Sequence, residues 1–291
     1  MKPPTVADVS ALRSTLDRAR RQGKTIGLVP TMGALHRGHT SLMDLARSET
    51  AFVVVSVFVN PTQFGPNEDL SRYPRPLQRD LELCGRSGVD LVFTPAPETM
   101  YPPGFCTFVE VAGLTEGLCG AARPGHFRGV ATIVLKLLNL VRPDKVYVGQ
   151  KDGQQVRVVQ QLVRDLDVPV RVVVGPTVRE LDGLALSSRN EYLSADQRQA
   201  ATVLFRALRE AQALIASGVR DAAAVRKRMV DMIRAAPGAV LDYAEVVAAD
   251  TLRPVDPLRG TVLAAVAIKF GTTRLIDNLV ITSVGPVEPD A

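Results

Sequence analysis

The 291-residue sequence has no tryptophan, three histidines, three cysteines and only 5% aromatic residues. Each scarcity excludes something. Cys84, Cys106 and Cys119 are odd in number and none sits in a C-x-x-C pair, so neither a disulfide framework nor a cysteine-based zinc site is offered, and a reducing cytoplasm is expected. The densest basic run, RARRQGK at 18–24, has no interleaved aromatics and reads as a solvated helix end, not a nucleic-acid surface. The longest uncharged apolar run is AFVVVSVFV at 51–59. A membrane helix needs roughly 20 such residues, and the first stretch of chain has no secretory apolar core, so neither insertion nor secretion is expected. The net charge of +5 admits an anionic ligand but equally fits general arginine usage, since Arg supplies 28 of the 35 basic residues. Both common phosphate-binding fingerprints, G-x-G-x-x-G and G-x-x-x-x-G-K-[ST], are also missing, so any nucleotide must be held another way.

What is present is a 46% hydrophobic chain with core enough for one large domain or two ordinary ones. A helix with periodic Val9, Leu12, Leu16 and Ala19 leads into KTIGLVP, a β-branched run expected as a buried strand. Helical SLMDLARSE, strand AFVVVSVFV, helix PLQRDLELCGRSG and strand VDLVFTP follow, with the long loop NPTQFGPNEDLSRYP between the middle pair. Proline and glycine cluster at 95–104 and around GAARPGHFRG, and then helix VATIVLKLLNLV, strand KVYVG, helix QQVRVVQQLVRDL and strand PVRVVVG continue the alternation. Such alternation implies an α/β fold, a Rossmann-like doubly wound parallel sheet over residues 24–175. Beyond PTVRELDGLALSSRNEYLS the pattern changes to helices near 196–217 and 221–235 and strands VLDYAEVVA, TVLAAVAIKF and TRLIDNLVI, a smaller C-terminal α+β domain. The expected boundary divides 1–180 from 181–291.

Two of the three histidines fall in PTMGALHRGH at 30–39, directly after the first buried strand. Glycines there let backbone approach a ligand, and His39 opens a helix whose N–H groups and positive dipole end favour an anion. A His-x-x-His metal pair or ordinary packing would use the same residues, although no third metal ligand lies nearby. VGQKDGQQ places Gly149, Lys151, Asp152 and Gln155 just past a strand end, where open α/β sheets hold ligands; a solvated Lys–Asp pair is the plainer alternative. LSSRN at 186–190 carries two hydroxyls and an arginine able to fork onto phosphate, or else is a polar linker. Asn60 and Gln63 in NPTQF bring amides suited to hydroxyl or carboxylate groups, and RPGHF adds Arg123 and His126. Several of these groups follow strand ends on one edge of one sheet, which favours a joint site.

Together PTMGALHRGH, VFVNPTQFGPNEDLSRYPR, RPGHFRGVATIVLKLLNLV, GQKDGQQ, PTVRELDGLALSSRNEYLS and GTTRLIDN, in this order from about 24 to 282, resemble the pantothenate synthetase (pantoate–β-alanine ligase) family. The resemblance implies an ATP-dependent, magnesium-dependent cytoplasmic homodimer that joins pantoate to β-alanine and releases AMP and pyrophosphate. It also implies kinship with enzymes that share a His-x-Gly-His signature. Carried onto this chain, the ATP site comprises Met32, Gly33, Ala34, Leu35, His36, Arg37, Gly38, His39, Gly149, Gln150, Lys151, Asp152, Val178, Leu186, Ser187, Ser188 and Arg189. The resemblance further implies that His36, His39, Lys151 and Arg189 would act on the phosphates and that Gln63 and Gln155, with Asn60 beside them, would serve pantoate. The chain departs from many members at Gln150 and Cys119, where they carry Glu; the second change removes a possible carboxylate near the substrate pocket.

No Ser-His-Asp or Cys-His set is recognisable, which suits activation of a carboxylate as an adenylate, a route needing charge stabilisation and positioning but no protein nucleophile. A nucleotidylyltransferase of the same superfamily is the alternative, but it would need a cationic second pocket where this chain has Gln63 and Gln155. A tRNA-binding or inactive module is a further alternative, disfavoured by the intact histidine, lysine and Ser-Ser-Arg sets. The C-terminal domain is expected to act as a lid and to take part in the dimer.

Overall fold

The computed structural model describes residues 2–66 and 68–284. Contacts divide the described residues into two compact units: one holds those within 2–112, 123–150 and 155–177, the other 113–122, 151–154 and 178–284.

The first unit is built on strands β1 (Thr5–Val6), β2 (Ile26–Thr31), β3 (Phe52–Val57), β4 (Leu91–Phe93), β5 (Lys145–Gly149) and β6 (Arg171–Gly175), in spatial order β1-β4-β3-β2-β5-β6. Every pairing is parallel. Helices α1 (Val9–Arg21), α2 (Arg37–Glu49), α3 (Leu77–Arg86), α4 (Pro97–Met100), α6 (His126–Val141) and most of α7 (Gly153–Asp165) accompany the sheet, and α5 (Leu118–Ala122) belongs to the second unit. The expected parallel α/β sheet is therefore present. The inner strands β2, β3, β4 and β5 are largely buried apolar runs, as a helix-covered parallel sheet requires, whereas the edge strands β1 and β6 are only partly buried. One core layer joins Val29, Val53, Val55 and Val92 of the sheet to Leu42, Met43, Ala46, Leu81 and Cys84 of α2 and α3. Full burial of each such Leu or Val contributes about 1.5–3 kcal/mol. Burial also pushes the Cys84 thiol up to about 12, consistent with an inert packing role.

Several boundaries differ from the sequence reading. Strand β2 starts at Ile26, includes Pro30 as expected and ends at Thr31. Proline is tolerated there because β5 pairs only with Gly27 and Leu28, so Pro30 interrupts no ladder on that side. The helix expected near 196–217 is two helices, α8 (Ala195–Ala200) and α9 (Val203–Ala216). At the break Thr202 Oγ1 donates to the Gln199 carbonyl at 2.8 Å, a local bond that competes with the helical ladder.

In the second unit, α9 and α10 (Ala222–Arg234) pack on an antiparallel sheet of β7 (Val240–Ala248), β8 (Gly260–Phe270) and β9 (Thr273–Val284), ordered β7-β8-β9. Leu204, Leu208 and Ala211 of α9, Met229 and Ile233 of α10, and Val262, Val266 and Phe270 of β8 share its core. Asp221 caps α10, its side chain accepting from Ala224 N–H at 3.0 Å.

Candidate active site

Because all six strands of the first unit run parallel, their carboxyl ends lie on one edge. Chain order reverses there between β2 and β5, the switch point at which open α/β sheets hold ligands. Met32–His36 follows β2, Asn60–Gln63 follows β3, and Gln150 follows β5.

The segment after β2 is shaped by three devices. Thr31 Oγ1 donates to the Ser56 carbonyl at 2.7 Å and accepts from Gly33 N–H at 3.2 Å. Gly33 and Ala34 both take positive φ, +83° and +51°, and a Cβ at Gly33 would lie 3.0 Å from Asp80 and Val57. Asp80, buried on α3, accepts from Ala34 N–H at 3.0 Å and Leu35 N–H at 2.8 Å. Burial pushes the Asp80 carboxyl up, against the pull of these two donors. The sequence reading did not single out Asp80; its only mark was a charge in an otherwise apolar helix face.

His36 and His39 are the N-cap and third residue of α2, which explains their spacing. His36 Nδ1 accepts from Gly38 N–H at 3.1 Å, and His39 Nδ1 accepts from His36 N–H at 3.2 Å, a capping box made of two imidazoles. The ring centroids are 4.1 Å apart. With both Nδ1 atoms accepting, each neutral ring carries its proton on Nε2, which makes Nε2–H the donor each ring can offer. Both imidazoles thus stand at a helix N-terminus, where dipole and N–H groups favour an anion.

The amide pair after β3 is held differently. Asn60 is 1% exposed and its carboxamide is spent on the protein: Nδ2 donates to Gln63 Oε1 and the Gly129 carbonyl, both at 3.1 Å, and Oδ1 accepts from Tyr101 Oη at 2.7 Å. Gln63 Nε2 lies 2.9 Å from Met32 Sδ, so the segments after β2 and β3 touch. Arg123 and His126 serve this turn as well. Arg123 pairs with Glu68 at 2.5 Å, and His126 Nδ1 donates to the Gln63 carbonyl at 2.8 Å. Burial pushes Glu68 up, but the Arg123 guanidinium outweighs it and holds the carboxyl below the usual glutamate range. Gln155 is half-buried in the first turn of α7.

The remaining candidates lie in the second unit. Lys151 Nζ stands 3.5 Å from Asp152 Oδ1, both in a 3-10 turn over Gln150–Asp152. Val178 and Leu186 face each other across a narrow reversal, Leu186 N–H donating to the Val178 carbonyl at 3.0 Å beside an Arg179–Ala185 bridge. Ser187 then caps the 3-10 turn Ser188–Tyr192, its Oγ accepting from Arg189 N–H at 3.3 Å. Arg179, Asp277 and Asn278, given no role in the sequence reading, tie these pieces together. The Cys119 departure also has a structural account. Its Sγ lies 3.2 Å from Tyr243 Oη and 3.5 Å from both terminal nitrogens of Arg274, whose charge is already met by Asp242 at 2.7 Å.

A parallel sheet with a doubly histidine-capped helix and polar loops on its carboxyl edge defines an α/β enzyme built to take an anionic ligand. The comparisons give the particular kind. Residues 4–280 match the family model for pantoate-beta-alanine ligase. The pantothenate synthetase of Acetivibrio thermocellus is 53% identical over 276 residues, 95% of this chain and 98% of that protein. That of Moorella thermoacetica is 55% identical over 273 residues, 94% and 96% of the two chains. The crystal structure of the Thermus thermophilus pantothenate synthetase superposes with a TM-score of 0.90 at 50% identity, covering 95% of this chain and 98% of that one. The Francisella tularensis pantoate-beta-alanine ligase, crystallised with beta-gamma ATP and beta-alanine, gives 0.78 at 35% identity over 95% and 97%. This chain belongs to the pantoate–β-alanine ligase family, AMP-forming enzymes that make pantothenate through a pantoyl adenylate.

Proposed function

We infer that this chain ligates pantoate to β-alanine at the expense of ATP, and that the residues placed above divide the work. The observation that carries the reading is the two-imidazole cap of α2 in a chain that matches the family from residue 4 to 280.

An amide cannot form directly from a carboxylate, whose oxygen is too poor a leaving group. A pantoate carboxylate oxygen attacks the α-phosphorus of ATP, the bond to the β-phosphate bridging oxygen breaks, and pyrophosphate leaves with that electron pair. The β-alanine amine then attacks the acyl carbon of the pantoyl adenylate, loses a proton, and expels AMP. Water and protein nucleophiles take no part. His36 and His39 donate from Nε2 to phosphate oxygens, Lys151 and Arg189 offset the charge developing on pyrophosphate, and Met32–His39, Gly149–Asp152, Val178 and Leu186–Ser188 seat the nucleotide. Gln63 and Gln155 orient the pantoate carboxylate and hydroxyls. Asn60 acts through Gln63, because its own amide already bonds the protein.

Magnesium would arrive on ATP, keeping several waters and binding through the substrate phosphates and one or two carboxylates. When bound it neutralises phosphate charge. Homodimer formation and a cytoplasmic setting accompany this reading. The test is a panel of carboxylic acids and amines offered to the purified chain with ATP and magnesium. Stoichiometric AMP and pyrophosphate only with pantoate and β-alanine is the expected result; release with a phosphate acceptor instead would identify a nucleotidylyltransferase.

A further inference from the structure

Within the second unit one buried polar chain joins two segments that are far apart in sequence. Arg179 forks onto Asp277, Nη1 to Oδ2 at 2.5 Å and Nη2 to Oδ1 at 3.0 Å, with the Asp277 side chain fully buried. Arg179 Nη1 also donates to the Gly183 carbonyl at 3.1 Å, and its guanidinium lies 4.0 Å over the Phe205 ring. The next residue, Asn278, donates its own N–H to Asp277 Oδ1 at 2.8 Å and its side-chain Nδ2 to the Lys151 backbone carbonyl at 2.8 Å. Asn278 is 5% exposed. Its approach depends on Gly153, where an added Cβ would stand 2.8 Å from Asn278 Oδ1 and 3.0 Å from Cγ.

One end of this chain is the narrow reversal that leads directly into Ser187–Arg189, and the other is the peptide of Lys151. We propose that Arg179, Asp277 and Asn278 form a positioning relay that fixes the Lys151 segment relative to the Ser187–Arg189 segment, so that both cations address one triphosphate. This rests on the assignment of Lys151 and Arg189 to ATP. The physical reason for so stiff a link is geometric. A lysine is a point charge on a flexible stem and an arginine is a planar fork, so two such groups bind a polyphosphate productively only when their backbones are held at a set separation. The Asn278 carboxamide, adjacent in sequence to the buried Arg179–Asp277 pair, restrains the Lys151 peptide from which the lysine stem projects. The relay bonds named above end on the Lys151 peptide and on the turn that leads to Ser187–Arg189, so their direct effect falls on the two segments assigned to ATP, while Gln155 follows Gly153 in the first turn of α7.

The experiment uses the full chain and steady-state kinetics with each substrate varied, alongside thermal melts. Asn278→Asp keeps the volume but replaces the donor aimed at the Lys151 carbonyl by an acceptor; Gly153→Ala keeps Asn278 and pushes it aside. Both are expected to raise KM for ATP by about tenfold or more and to remain folded at assay temperature, and in Asn278→Asp KM for pantoate stays within about twofold. Unchanged ATP kinetics in both folded variants would overturn the relay, and so would equal deterioration toward both substrates that tracks a fall in melting temperature. Lys151→Ala and Arg189→Ala separate the two levels of inference. If these leave ATP kinetics unmoved, the underlying site assignment fails and the relay with it; if they act while the Asn278 and Gly153 variants do not, the relay alone is wrong.

Discussion

His36 carries two duties that a substitution can pull apart. As N-cap it accepts from Gly38 N–H, and in the proposed function its imidazole Nε2–H serves a phosphate oxygen. Asparagine is among the best N-cap residues, so His36→Asn should keep helix α2 within about 0.5 kcal/mol of the parent while removing the ring. Thermal melts near the parent value with a large loss of ligation are expected; undiminished turnover would confine His36 to capping. Asp80 offers the converse case, a residue given no contact with ATP in the proposed function whose two carboxylate oxygens hold the Ala34 and Leu35 amides. Asp80→Asn leaves one oxygen for two donors and sets an NH2 against the other. The expected cost is about 1–3 kcal/mol of stability together with weaker ATP use, measured by denaturant titration and by KM. Loss of stability with unaltered ATP kinetics would show that the shape of the Gly33–Leu35 turn is not what binds the nucleotide.

At the scale of elements, the turn after β3 is pinned to its surroundings by Glu68 and Arg123 as well as by Asn60. Since Glu68 titrates below the usual glutamate range in the fold, the pair contributes stability that is fully present above the ordinary glutamate pKa of about 4.3 and is lost as pH falls through the lowered folded value. A Glu68→Gln chain should therefore be less stable than the parent at neutral pH, with the difference shrinking only under acid conditions. A difference independent of pH would assign the contact to packing. These elements also show what is legible in sequence. The β-branched runs of β2, β3, β5 and β6 and the apolar periodicity of α6 and α10 announce themselves, because burial and period are properties of consecutive residues. The strand, glycine and helix cap of PTMGALHRGH are readable for the same reason, since they are adjacent in the chain, and they make it a candidate anion site. Asp80, Asp277 and Asn278 were not assigned roles, since each acts on a partner 45 or more residues away and nothing local marks a carboxylate that will meet two distant amides. The two-residue strand β1 and the five-residue helix α5 are too short to show a period. Asn60 was legible as an amide after a strand but not as one whose bonds are consumed by Gly129 and Tyr101.

For the whole molecule the decisive fact is coverage. The family match spans both compact units, and relatives at about half identity span 94–95% of the chain, so the reaction belongs to the entire protein and not to its sheet alone. On the proposed assignment the chemistry rests on positioned charge: two imidazoles on a helix cap, a lysine and an arginine set by the proposed relay, and amides for the acid. The order of events follows, because a carboxylate and ATP suffice to make an adenylate and the amine is needed only afterwards. The direct measurement is exchange of labelled pyrophosphate into ATP by the purified chain with magnesium and pantoate but no β-alanine, accompanied by rapid-quench detection of the acyl adenylate. Exchange that requires pantoate, with adenylate recovered from the quench, is predicted. Neither exchange nor adenylate without β-alanine, while the complete mixture turns over normally, would contradict activation before ligation.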